Sequence, residues 1–105
     1  MSAPWSDVIN LVSLVEGIDE DGFPAVVEGE PRLIFANKLS VRSQEFHMAK
    51  QSGVDLSYMF EIRSIEYEGE EQIEYKGKDH TVYRTYEKGE FIELICKRKA
   101  DDHGT

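Results

Sequence analysis

The chain is expected to fold as a small, mainly antiparallel β-barrel or sandwich with one short α-helix between its second and third strands. Three observations predict this. Apolar residues alternate with polar ones over most of the chain, which is the period of a half-buried strand. The period changes to helical spacing in a single stretch, Ser40 to Gly53. Gly- and Asp-containing turn signals separate the alternating runs at short intervals, as small all-β domains require.

In chain order, Asp7–Val15 is rich in Val, Ile and Leu in both registers, which predicts a strand covered on both faces. Glu16–Gly29 holds Gly17, Gly22, Pro24 and Gly29 beside the acidic cluster Asp19–Asp21, the chemistry of a hairpin or loop. Arg32–Leu39 alternates, with Leu33, Phe35 and Leu39 on one side and Arg32 and Lys38 on the other. A helix is expected at Ser43–Ser52. Ser40 or Ser43 supplies an N-cap hydroxyl, Glu45 suits the positive end of the dipole, and Lys50 and Gly53 suit the C-terminus. Phe46 and Ala49, three apart on one face, are its expected anchors to the sheet. The segment Gln51, Ser52, Gly53, Val54 and Asp55 is expected as a polar, movable loop.

Leu56–Tyr67 returns to alternation with Tyr58, Phe60 and Ile62 on one face, and the shift to Ile65 and Tyr67 predicts a bulge near Arg63–Ser64. Glu68–Glu71 reads as a turn. Gln72–Lys76, Gly77-Lys78 and His80–Glu87 read as a hairpin, Lys88-Gly89 as a second turn. Phe91–Lys99 closes the domain with Ile92, Leu94 and Cys96 inward and Glu93 and Lys97 outward. Residues 1–99 are thus expected as one domain and Ala100–Thr105 as a frayed tail.

Composition bounds the function. At 105 residues the chain matches one domain, and 40% hydrophobic content supports a modest core. Apolar runs are only a few residues long, so a soluble intracellular domain with no membrane partner is expected. Twelve Lys+Arg against twenty-one Asp+Glu give a net charge of −9, which disfavours adhesion to DNA phosphates. The charge is also polarised. Seven acids and no Lys or Arg precede Arg32, whereas Lys76–Lys99 carries seven bases against four acids. The first reading of such polarity is a solvated surface that keeps the protein in solution; the sharper one is an acidic pole and a less acidic pole that suit copies packed side by side.

Chemistry-bearing patterns are sparse. His47, His80 and His103 have no zinc spacing, and the single Cys96 is expected as a buried thiol on the last strand. Asp19, Asp21 and Glu30 fall at the first, third and twelfth places of an EF-hand loop. Phe23 stands where an oxygen ligand belongs, however, and Pro24 where the glycine belongs, so solvated turn acids are expected. No phosphate loop or nucleophile elbow occurs, and neither an enzyme nor a cofactor is expected. The aromatics Phe60, Tyr75, Tyr83, Tyr86 and Phe91 would serve single-stranded nucleic acid only beside a basic groove, and the block Glu61–Glu74 is acidic.

Four features together resemble the bacteriophage head–tail joining proteins, the head-completion (stopper) family of siphophage necks. They are a strand and hairpin leading into Ile34-Phe35-Ala36, the Ser-x-Glu-x-x-x-Ala helix at Ser43–Ala49, the strand Met59–Ile65, and the Tyr-x-Gly-Lys hairpin at Tyr75–Lys78 feeding Tyr83–Tyr86 and Phe91–Lys99. The chain departs from the family in its acidic stretch Glu66–Glu74 and in having no basic segment before the first strand. The resemblance implies a structural virion protein assembled in the host cytoplasm. It would form a homo-oligomeric ring at the virion neck that extends or closes the DNA channel after packaging and provides a tail-docking surface, contact connector adaptor, portal and tail proteins, and let packaged DNA pass without sequence-specific binding. It further implies that Ser40–Ser57 approaches the channel, with Gln51–Asp55 as the channel-facing loop. The alternative is a small β-barrel module that binds a peptide or single-stranded nucleic acid.

Overall fold

A computed structural model describes residues 6–98; the expected tail Ala100–Thr105, with Lys99 and His103, lies outside the described residues. The strands are β1 (Asp7–Val12), β2 (Leu14–Ile18), β3 (Pro24–Glu28), β4 (Arg32–Leu39), β5 (Leu56–Arg63), β6 (Gln72–Tyr75), β7 (Lys78–Lys88) and β8 (Phe91–Arg98). One helix, α1 (Ser43–Gln51), joins β4 to β5. Six strands close into an antiparallel barrel in the order β1-β4-β5-β8-β7-β6, while β2 and β3 form a separate two-stranded sheet. The expected barrel is therefore present. Its helix follows the fourth strand rather than the second, because the Glu16–Gly29 region is itself two strands.

The barrel interior is built by the alternation. Ile9 and Leu11, Ile34 and Ala36, Phe60 and Ile62, Ile73 and Tyr75, and Ile92, Leu94 and Cys96 form one buried cluster. On β4 the interior takes Ile34 and Ala36, so the opposite face, with Leu33 and Phe35, is exposed to solvent; Phe35 is 58% exposed. A second, smaller cluster lies outside the barrel, where Ala49 of α1 meets Leu56, Met59 and Ile95. Strand β8 is thus buried on both faces.

That outer cover corrects the expected outward Glu93. It does point away from the barrel interior, on the face of Ile95, yet it is only 3% exposed. Arg42 Nη2 donates to both of its oxygens at 2.9 and 3.0 Å, and Lys88 Nζ lies 3.3 Å away. Arg42 also occupies the N-cap position of α1 and makes no side-chain cap hydrogen bond there. The expected serine cap is therefore not used. Helix entry is held by the Arg42–Glu93 ion pair instead.

Three further expectations are corrected. The first strand is not continuous or covered on both faces, because the chain leaves the barrel at Ser13 and Leu14 and Val15 are exposed on β2. The register change near Arg63–Ser64 is made by a single 3-10 turn, Ser64–Glu66, and not by a bulge. The helix ends at Gln51, one residue earlier than expected. The β6–β7 hairpin turns through Lys76 and Gly77, both at positive φ (52° and 77°). A two-residue loop of this kind matches the right-handed twist of the strands.

Candidate interaction surfaces

The residues named as helix anchors are brought to α1 but not to one environment. Ala49 is buried in the outer cluster, whereas Phe46 is 37% exposed at the edge of a cavity of about 310 Å³. Leu39, Val41, Leu56 and Tyr58 share its lining. The expected loop Gln51–Asp55 is a compact helix end. Gly53 N–H donates to Lys50 O and Val54 N–H to Ala49 O, each at 2.9 Å, and Gly53 has φ +81°. Lys50 and Asp55 form an ion pair, and Val54 is half-buried against the outer cluster. Gln51, Ser52, Gly53 and Asp55 are exposed. The segment is polar on its rim, as expected, but tied down at several points rather than free to move.

The second surface is the β2–β3 sheet, which leaves the barrel as an arm. Each strand has five residues, so the arm extends about 17 Å at the usual rise per residue. The register pairs Leu14 with Glu28, Glu16 with Val26 and Ile18 with Pro24. Directly paired residues share a face, so Leu14, Ile18, Pro24 and Val26 lie on one face together with Glu16 and Glu28. All four are exposed, as is Phe23 beside the tip. A two-stranded ribbon alone has no second layer to cover such a face. At the tip, Asp19 Oδ1 accepts backbone N–H groups of Asp21 (3.0 Å) and Phe23 (2.9 Å). The carboxylate placed first in the EF-hand count is thus a turn cap. At the arm base, Gly29 N–H donates to Ser13 O at 2.7 Å.

Beside the arm base sits a second buried carboxylate that the sequence reading placed in a turn. Arg32 Nε and Nη2 donate to Glu70 Oε2 at 3.1 and 2.5 Å, and Glu68 N–H donates to Glu70 Oε1 at 2.9 Å. Burial alone would raise the Glu70 carboxyl; the Arg32 guanidinium outweighs it and holds the group below its ordinary value.

A third surface is a cleft of about 260 Å³ lined by Tyr58, Tyr75, Lys76, Lys78, His80 and Arg98, with Asp79. Lys38 Nζ stands 5.1 Å from the Tyr58 ring centre and Lys76 Nζ 5.3 Å from that of Tyr75. Tyr75 itself is buried and donates its hydroxyl to Asp7 at 3.0 Å, so only Tyr58 offers part of a ring. Ser57 donates to Cys96 O at 3.2 Å and therefore accepts from His80 Nδ1 at 2.9 Å. His80 Nε2 is left as a buried lone pair with no protein partner among the described residues. Burial first, then Arg98, keeps the His80 pKa below its ordinary value, so the ring is neutral.

Burial pushes the Cys96 thiol up to about 12, far from a nucleophile's range. Among the described residues no group of three or more His, Cys, Asp and Glu side chains is placed to hold a metal ion. No described helix is long and apolar enough to cross a membrane. No protein-family model matches the chain, and no curated protein matches it.

Proposed function

We propose that this chain is a structural component of a phage neck, a homo-oligomeric ring that extends the DNA channel and presents surfaces to a connector above and a tail below. The observation that carries the reading is the arm: a barrel of this size exposes a ribbon bearing Leu14, Ile18, Phe23 and Val26 that its own fold does not cover. Exposed apolar side chains gathered on one face, here interleaved with Glu16 and Glu28, suit a protein–protein contact with a polar component. The exposed pair Val8 and Phe35, opposite each other on β1 and β4, adds a second apolar spot on the same side of the barrel. The four-part resemblance of the sequence to head-completion proteins supplies the assembly. The net charge of −9 suits a channel wall past which DNA moves without sticking. In this reading Gln51–Asp55 is a short rim of the channel rather than a long plug.

The test is addition of the purified chain to heads that carry a portal connector but were assembled without this chain. Joining, seen as a mass gain in sedimentation and a new ring at the vertex by electron microscopy, is the expected result. Heads that never take up the chain sink the reading. In joined particles, Asp55→Lys should slow DNA exit by placing a cation at the channel rim; unchanged exit removes the rim role and leaves a spacer ring.

One observation favours a second reading, a module that binds an anionic peptide. The Tyr58–His80–Arg98 cleft gathers Lys38, Lys76, Lys78 and Arg98 around one half-exposed ring. With Tyr75 buried it suits carboxylates better than stacked bases. Saturable binding of a poly-Glu peptide by the monomer, abolished by Arg98→Glu, would support this reading over the ring.

A further inference from the structure

The end of the barrel away from the arm gathers cations that the ring reading does not use. Lys38 pairs with Phe60, Lys78 with Tyr75 and Arg98 with His80, and directly paired residues share a face. Phe60, Tyr75 and His80 are buried, the first two in the barrel core. Lys38, Lys78 and Arg98 therefore stand on the interior side of β4, β7 and β8, where the barrel opens at the Tyr58–His80–Arg98 cleft. Lys38 Nζ is held over two rings, 5.1 Å from the Tyr58 centre and 5.9 Å from that of Tyr75.

The acids nearby do not neutralise this mouth. Asp7 accepts from the Tyr75 hydroxyl at 3.0 Å and from the Lys38 backbone N–H at 3.3 Å. Asp55 pairs with Lys50. Asp79 pairs in register with Glu74, which places it on the outer side of the β6–β7 hairpin. Lys38, Lys78 and Arg98 form no ion pair among the described residues. In a chain of net charge −9, the mouth is thus a local site for an anion.

Beside the cations lies an acceptor. His80 is 3% exposed and lines the cleft. Its Nδ1–H is given to Ser57, whose own hydrogen goes to Cys96 O, and Ser57 lies outside the lining. That bond fixes the tautomer and leaves Nε2 as the ring's polar atom on the cleft side, with no protein partner among the described residues. A ligand that covers a buried acceptor without donating to it loses binding energy. The cleft therefore asks for negative charge and a donatable proton in one small group. An ionised carboxylate or a sulfate offers acceptors only, and a phosphodiester has lost its proton too, so passing DNA is no ligand. Free phosphate at neutral pH keeps at least one P–OH beside its charged oxygens.

We propose that the barrel mouth binds hydrogen phosphate, with its P–OH donating to His80 Nε2 and its charged oxygens accepting from Lys38, Lys78 and Arg98. The site goes beyond the ring reading and does not depend on it. The cleft, about 260 Å³, holds such an ion at the mouth of a small barrel, a usual place for a ligand. Ser57 is a positioning residue, since it sets which nitrogen of His80 faces the ion.

Calorimetric titration of the full chain with sodium phosphate at pH 7 and low ionic strength, in a buffer free of other oxyanions, tests the site. The expected result is saturable uptake of one phosphate per chain, with sulfate weaker by about tenfold or more because it has the shape and charge without the proton. Lys78→Gln and Arg98→Gln should each weaken phosphate severalfold, while Arg63→Gln at the other end of the barrel should not. His80→Leu should bring phosphate down to the level of sulfate. If circular dichroism shows that this variant does not fold, the ¹⁵N signal of His80 Nε2 in the native chain replaces it: phosphate should shift the signal and sulfate should not. Absence of phosphate binding, sulfate binding as tightly, or equal losses from Arg63→Gln and Lys78→Gln overturn the proposal. Acetate binding as tightly also overturns it and returns the cleft to the anionic-peptide reading. Glycerol phosphate at pH 6, where about half of a monoester keeps its proton, separates the sources. Its binding identifies the phosphorylated end of a larger molecule, and its exclusion identifies the free ion. Uptake of the chain by connector-bearing heads tests the ring separately, so either reading can fail alone.

Discussion

Removing the cations around Glu93 should destabilise the protein in a way that depends on pH. Glu93 is buried on the outer face of β8 and held by Arg42 and Lys88, so deleting both partners leaves an unpaired charge in a site with little access to water. Breaking a buried pair this way usually costs about 3–5 kcal/mol. Arg42 is half exposed and Lys88 nearly so, which lets water partly replace either one alone. Arg42→Ala should therefore cost about 2 kcal/mol, and Arg42→Ala with Lys88→Ala about 3–5 kcal/mol. For a domain of this size, about 2 kcal/mol corresponds to a fall in Tm of roughly 10 °C.

The pH dependence distinguishes lost charge from lost contact. Burial alone would raise the Glu93 carboxyl, but Arg42 and Lys88 outweigh it and hold the group below its ordinary 4.5. A carboxyl with a depressed folded pKa contributes stability that is fully present above 4.5 and is lost as pH falls through the folded value. In the double variant only burial remains and the sign reverses: Glu93 now takes up a proton more readily folded than unfolded. The gap between native and double variant should therefore be largest at neutral pH and shrink toward pH 4. Urea unfolding followed by circular dichroism measures it. Adding Glu93→Gln to the double variant should recover much of the loss at pH 7 by removing the stranded charge. A gap that is constant with pH, or no recovery with Gln, would refute the reasoning.

Three more outcomes are expected. Phe46→Ala should cost about 1–2 kcal/mol, below the 3–5 typical of a fully buried ring, because part of the ring is in solvent; Ala49→Leu should cost about 1–3 kcal/mol by overfilling the outer cluster. Urea midpoints decide both, and a loss from Phe46→Ala of about 3–5 kcal/mol would show that the ring is better covered than the fold indicates. Cys96 should resist a thiol reagent in the native state at pH 8 and react fully in urea, since burial pushes its thiol up to about 12; native-state labelling would reveal opening of the β7–β8 wall. The His80 ring, neutral in the fold because burial depresses its pKa below 6.5, should make stability fall as pH drops below that value, where only the unfolded chain takes the proton. His80→Gln should flatten the native slope between about pH 6.5 and 5.5, and an unchanged slope would assign it to other groups.

The barrel was legible because its inward residues alternate cleanly on β5 and β8; on β4 the apolar side grouped from sequence, Leu33 and Phe35, is exposed and Ile34 and Ala36 face inward, and the hairpin expected at Gly77-Lys78 turns one residue earlier, through Lys76 and Gly77. The helix was legible from a change of period. What could not be read was which outer faces are covered. Glu93 and Ile95 share the outer side of β8, and alternation alone assigns that side to water; the cover comes from α1, placed there by a connection about fifty residues away in sequence. The serine cap was misjudged for the same reason, since Arg42 is held by Glu93 across the fold and not by anything adjacent to it.

The opposite error occurred at the first strand, and it bears most on function. Val12 is buried and Leu14 and Val15 are exposed, although the run from Val8 to Val15 reads as one apolar strand. Composition treats these residues as core, and periodicity cannot say otherwise when both registers are apolar. The break at Ser13 sends Leu14, Val15, Ile18 and Val26 into an arm rather than into the barrel, so part of the apolar content that promised a core is spent at the surface. A single chain gains nothing from that arrangement: the arm adds exposed apolar area, and a two-stranded ribbon is only marginally stable by itself. The run that reads as one buried strand is therefore split: Ile9, Leu11 and Val12 enter the barrel core, while Leu14 and Val15 lie on the arm that the barrel leaves uncovered, the surface on which the proposed assembly rests.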